Sequence, residues 1–166
     1  MRGESAVRLR PPRNTPDRRA VAWWRTRCLL AATVPTAVPA VLGGLLEPAR
    51  TWLFAAAGVV AAAGLACAAL LPRRWFRANR WEVTDEAVYV RTGLLRQEWR
   101  IAPMSRVQTV DTVRGPLERA FRLATVTVTT ASARGAVTVP GLDHRLAADL
   151  AERLTLTTRD TPGDAT

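Results

Sequence analysis

The chain of 166 residues contains no lysine, so all 24 of its basic residues are arginine. A phosphate-cradling Gly-x-x-x-x-Gly-Lys loop is thereby excluded. Histidine occurs once, as His144, without cysteine or carboxylate at metal-ligand spacing. The three serines, Ser5, Ser105 and Ser132, lack the Gly-x-Ser-x-Gly context of a nucleophile elbow. Cysteine is limited to Cys28 and Cys67, both at or within apolar runs, which reads as apolar filler and not as a disulfide framework. Asp85-Glu86 and Asp143 read as turn and helix-cap residues. No catalytic residue, cofactor or metal site is expected, and the chain does not read as an enzyme. Aromatic residues make up only 6%, but hydrophobic residues reach 48%, which excludes a disordered chain or a coiled coil. The length allows one ordinary domain plus an accessory segment.

The net charge of +10 is unevenly placed. Residues 1–27 carry +6 and residues 73–80 carry +4, whereas residues 28–72 are neutral and residues 81–156 carry only +1. A nucleic-acid module would concentrate its excess on the folded domain, so no nucleic-acid partner is expected. The excess instead flanks an apolar region. Residues 28–46 form a charge-free run of 19, and residues 52–71 one of 20. As helices each spans roughly 28–30 Å, the thickness of a bilayer's hydrocarbon core. The short link through Glu47, Pro48 and Arg50 makes them an antiparallel hairpin.

Arginines precede the first run and follow the second, which places both termini in the cytoplasm by the positive-inside rule. Trp23, Trp24 and Trp75 at the inner end and Trp52 at the outer end read as interface anchors of an aromatic belt. Arg18-Arg19 ahead of an apolar run also resembles a twin-arginine signal, with small residues at 37–40 for cleavage. The length of the run and its two prolines argue against removal. Pro35 and Pro39 imply a kink within the first span. Neither span contains an ionisable residue, so neither offers a proton relay or a charged transport path.

Beyond Arg80 the pattern changes to alternation. Residues 87–91, 96–101, 124–129 and 136–139 alternate with period two, as half-buried antiparallel strands do. Thr84-Asp85-Glu86, Thr92-Gly93 and Ala133-Arg134-Gly135 separate them as turns. Residues 107–113 form another β-branched segment, with a bulge expected at Asp111. Gly115-Pro116 opens a short helical stretch to Phe121. Asp143 then caps a helix with Leu146, Leu150 and Leu154 at spacing four, beside Ala147 and Ala151. The expected fold is a membrane α-helical hairpin followed by about six short strands in a strongly bent sheet or barrel, capped by a C-terminal helix. The expected organisation is a basic tail over 1–27, the hairpin over 28–72, the β domain over 73–156 and a disordered tail over 157–166.

Several segments then match a known series. Trp81-Glu82-Val83-Thr84-Asp85-Glu86 is followed by Arg91-Thr92-Gly93-Leu94-Leu95 and Ile101-Ala102-Pro103. Arg106-Val107-Gln108-Thr109-Val110, Gly115-Pro116-Leu117, Leu123-Ala124-Thr125-Val126 and Val139-Pro140-Gly141-Leu142 complete it. Over about residues 20–155 the set resembles the YdbS-like bacterial pleckstrin-homology (PH) domain family of membrane proteins. The resemblance implies a PH-like barrel with a C-terminal helix, integral to the cytoplasmic membrane and without catalytic residues. Phosphoinositide binding at the first hairpin loop is not expected, because Asp85 and Glu86 repel phosphate.

The function expected is presentation of a PH-like domain at the cytoplasmic membrane for protein–protein interaction or scaffolding. The partner would be a protein, including another membrane protein of the same family. Arg73, Arg74, Arg77, Arg80, Arg114, Arg119 and Arg122 are the candidate lipid- or partner-facing residues, with Arg100 and Arg106 as further basic positions. An anionic-lipid-sensing or envelope-stress protection role is the first alternative, and a small transporter or channel component the second.

Overall fold

Long charge-free runs leave their backbones no partner except themselves, and here both become helices. In the computed structural model, which describes residues 12–84, 86–94, 97–131 and 135–160, helix α1 spans Arg19–Leu45 and α2 spans Arg50–Ala78. A 3-10 turn over Glu47–Ala49 joins them, with Pro48 near its start. Small residues bring the helices together: a Cβ on Gly64 would lie 2.5 Å from that of Ala32, and one on Gly43 would lie 3.2 Å from that of Leu53. Only 6% and 11% of their apolar stretches are buried within the chain, the opposite of a soluble protein's core helices. Leu45, Trp52 and Val59 are among many large apolar side chains left facing outward.

The β domain begins directly after α2. Strands β1 (Arg80–Val83), β2 (Ala87–Thr92) and β3 (Glu98–Pro103) form one antiparallel sheet in that order. Strands β4 (Val107–Val113), β5 (Leu123–Thr130) and β6 (Val137–Asp143) form a second. Between β4 and β5 lies the short helix α3 (Pro116–Ala120). Helix α4 (His144–Asp160) is the last described element and packs mainly on β4, with further contacts to β5 and β6. The bent antiparallel arrangement is as expected, but no barrel closes. After Pro103 the chain makes a 3-10 turn over Met104–Arg106, which separates the two sheets and sinks Met104 into the core.

Alternation sets the core. Val88, Val90, Val126, Val128, Val137 and Val139 all turn inward and share one core with Leu150 and Leu154 of α4. Burying each such side chain contributes about 1.5–3 kcal/mol.

Four local readings are corrected. Trp99 and Ile101 form the more apolar face of β3, yet Ile101 is 40% exposed and Ala102, on the Glu98/Arg100 face, is fully buried. The bulge in β4 falls between Val107 and Thr109, because Asp111 pairs regularly with Thr127 on an exposed strand that tolerates its charge. On α4 the buried stripe is Ala147, Leu150 and Leu154, while Leu146 is 44% exposed. That helix also continues to Asp160, past the expected start of a tail at 157.

A larger correction concerns the N-terminal arm. Within the basic tail expected over 1–27, residues 12–27 pack on the β domain, with Pro12, Pro16, Ala20, Trp23 and Trp24 buried. Asn14 and Trp81 exchange two backbone hydrogen bonds, both 3.0 Å, so the arm covers the open edge of β1. The Asp17 carboxylate, one residue before the N-cap Arg18, accepts the Arg19 N–H at 2.7 Å where the arm turns into α1. Residues 1–11, Asp85, residues 95–96, the turn at 132–134 and residues 161–166 lie outside the described residues.

Candidate functional site

The first turns of α1 present one face at helical spacing: Ala20, Trp23, Trp24, Arg27, Cys28 and Ala31. Its beginning lies against the β domain, and its end enters the apolar span. Ala20, Trp23 and Trp24 are buried with Leu123 of β5, and Trp75, Phe76, Leu117 and Phe121 pack around them. Trp24 meets Trp75 edge to face at 6.0 Å and Trp23 at a tilt at 5.7 Å. Each buried indole carries about 4–6 kcal/mol of transfer free energy. The hairpin and the β domain are therefore joined through a hydrophobic seam.

The socket for α1 comes from a bulge in β6. Ala124 pairs with Leu142 but Val126 pairs with Val139, so β6 carries one extra residue at Pro140-Gly141. Gly141 adopts a φ of +73°, and its carbonyl accepts the Asp17 N–H at 2.8 Å. Two residues on, the Asp143 carboxylate accepts the Arg145 N–H at 2.9 Å and meets Arg19 of α1 at 3.3 Å. Burial opposes ionisation of Asp143. The backbone N–H groups of Arg145 and Leu146, together with His144 and Arg19, outweigh it and hold the carboxyl below its ordinary value.

Beside the seam lies a cleft of about 740 Å³ between α1, the end of α2, the first sheet and β6 of the second. Trp24, Trp75 and Val90 form its apolar wall, and Arg27, Glu98 and Arg100 its charged part. Arg100 donates to the Ala136 carbonyl at 3.0 Å and lies 3.5 Å from Glu98. Arg27 stacks over the Trp23 ring at 5.2 Å. A second cleft of about 500 Å³ shares Trp23, Arg27 and Pro140 with the first and reaches Glu118. Glu118 is buried and satisfied, accepting from the Gly115 N–H at 2.7 Å and from the Thr125 hydroxyl at 2.6 Å.

The sequence-derived site residues are distributed differently. Trp23 and Trp24, expected as interface anchors, are 5% and 6% exposed, because the β domain covers their indoles before lipid head groups reach them. Trp75 is part of the same seam, and Trp52 at the far end of the hairpin is 82% exposed. Arg73, Arg74 and Arg77 are exposed on the last turns of α2, while Arg80 is half-buried in β1 opposite Arg91. Arg114, Arg119 and Arg122 are exposed around α3. Arg114 donates to the Leu123 carbonyl and Arg119 to the Arg114 carbonyl, both at 3.3 Å, so part of their hydrogen bonding serves the local backbone. Both arginine groups flank the one seam, since Trp75 and Phe76 meet Leu117 and Phe121 there.

Sequence reasoning missed Ala20, Arg27 and Gly141. The signal was present as the continuation of one α1 face across the Arg27–Cys28 boundary, and as a Pro-Gly pair interrupting a strand.

Two apolar spans fused to a pair of bent antiparallel sheets with a capping helix define a membrane-anchored PH-like protein. The chain belongs to the bacterial PH domain family, whose sequence model matches residues 29–157. It is 32% identical over 95 residues to the UPF0699 transmembrane protein YdbS of Bacillus subtilis (strain 168). That match covers 57% of this chain and 58% of the relative's length. No solved structure matches. The chain is thus a YdbS-like membrane protein with two spans and a PH-like domain.

Proposed function

We propose that the chain is a non-catalytic platform that presents its PH-like domain to protein partners at the cytoplasmic face of the membrane. The single observation that carries this reading is the outer edge of β4. Among the described residues β4 is paired on one side only, by β5, and Thr109, Asp111, Thr112 and Val113 are exposed. An open edge of this kind offers its free N–H and C=O groups to an added strand, and flanking side chains supply selectivity. The seam supports the platform role, because an anchored domain keeps that edge at a constant place relative to the bilayer. The arginine excess at the domain end of the hairpin supports the cytoplasmic orientation.

A photo-crosslinking residue placed at Asp111 or Val113 in native membranes tests it. The expected result is a discrete protein adduct that Thr112→Pro abolishes, since proline removes one edge donor. Adducts unaffected by Thr112→Pro, or none at either position, would overturn strand addition at β4.

A further inference from the structure

We infer that the larger cleft at the seam holds one anionic phospholipid, with its phosphate at Arg27 and its first acyl carbons against Cys28 and Ala31. This inference stands independently of strand addition at β4, none of whose residues line the cleft. It rests on a polarity gradient inside one cavity. Cys28 and Ala31 belong to the charge-free run of α1, so their end of the cleft lies at the level of the hydrocarbon boundary. Arg27 lies one helical turn nearer the domain than Ala31, and Thr92, Thr138 and Arg100 line the same cleft from the β domain. Along α1 the lining therefore passes from the apolar Ala31 to the cationic Arg27 over about 6 Å, the scale on which a phospholipid passes from acyl chain to phosphate.

Charge selects the ligand. Glu98 is matched by Arg100, whereas Arg27 has no acidic partner among the described residues. Its contact is the face of Trp23, which orients the guanidinium and leaves its N–H groups free for bidentate bonding to phosphate. At about 740 Å³ the cleft is in the range that encloses a drug-sized group, enough for a head group and proximal chain but not for two whole acyl chains. The distal chains would continue into the bilayer alongside α1.

The test uses the full chain purified in a neutral detergent. Equal amounts of phosphatidylglycerol and phosphatidylcholine with the same acyl chains are added, and retained lipid is read by native mass spectrometry. Preferential retention of one phosphatidylglycerol is expected. Arg27→Gln should lower that retention about tenfold, the effect of losing one charge-assisted hydrogen bond. Ala31→Trp, which fills the apolar end without altering charge, should lower it similarly and decides the matter if Arg27→Gln lowers the thermal midpoint. Arg25→Gln, on another face of the same helix, should change retention by less than about twofold. Equal losses in Arg25→Gln and Arg27→Gln would assign binding to a diffuse basic belt and overturn the site. So would equal retention of the two lipids, or displacement of phosphatidylglycerol by glycerol phosphate at similar concentration, which would mark a site for a soluble anion.

Discussion

Gly141 lies against Ala20 so closely that a Cβ added to the glycine would stand 2.8 Å from the alanine's. This contact is where the β6 bulge receives the first turn of the membrane helix. Gly141→Ala should destabilise the domain by about 2–3 kcal/mol, combining left-handed backbone strain with overpacking. Adding Ala20→Gly should recover the overpacking part and not the strain. Thermal melts in detergent, with hydrogen exchange of amides 20–27, read both effects; identical melts for the single and double variants would show that Ala20 is not the obstacle.

The two ends of the hairpin use tryptophan differently. Trp24→Ala should cost about 3–5 kcal/mol of seam stability and expose the Leu123 amide to exchange. Trp52→Ala, at a position 82% exposed within the chain, should leave that amide's protection within about 0.5 kcal/mol of the parent's. Similar exchange at Leu123 in both variants would contradict the seam.

Helix α4 offers a comparison along one side of a leucine stripe. Leu154 is 1% exposed and Leu146 is 44% exposed. Leu154→Ala should therefore cost about 2–5 kcal/mol. The cost of Leu146→Ala should stay near 0.5 kcal/mol, as measured by denaturant midpoints under a constant detergent.

Asp143 makes the fold acid-sensitive. Its folded-state pKa is lowered, so its contribution is fully present above the ordinary carboxylate value and is lost as pH falls through the lowered one. Asp143→Asn keeps an effective cap but removes the charge. The stability difference between parent and variant should be constant near neutrality and shrink toward zero in strong acid. A difference that grows on acidification would reverse the assigned sign.

The sequence by itself determined the spans and nearly all of the strands. In lipid, nineteen or twenty uncharged residues in a row leave a helix as the way to satisfy the backbone of a single span. Thr125, Thr127 and Thr129 alternating with Val126 and Val128 define a half-buried strand in the same direct manner. Asp143 was legible as a cap because the leucine and alanine stripe begins just after it. The phase of that stripe was not, since Leu146 and Ala147 fit the spacing equally well and only the sheet's position selects Ala147.

The candidate site was decided by tertiary structure. An indole at the inner end of a span suits a lipid interface and a protein seam alike, because both are apolar on one side and polar on the other. Periodicity tells which side chains share a face and is silent about what covers that face. Only the bulge at Pro140-Gly141 sets α1 against β6, converting Trp23 and Trp24 into core and leaving Arg27 at the mouth of a cleft. The same limit applied to closure of the sheets. The turn at Met104–Arg106 acts over a few residues, but whether β3 and β4 then pair depends on every contact that holds the two sheets apart.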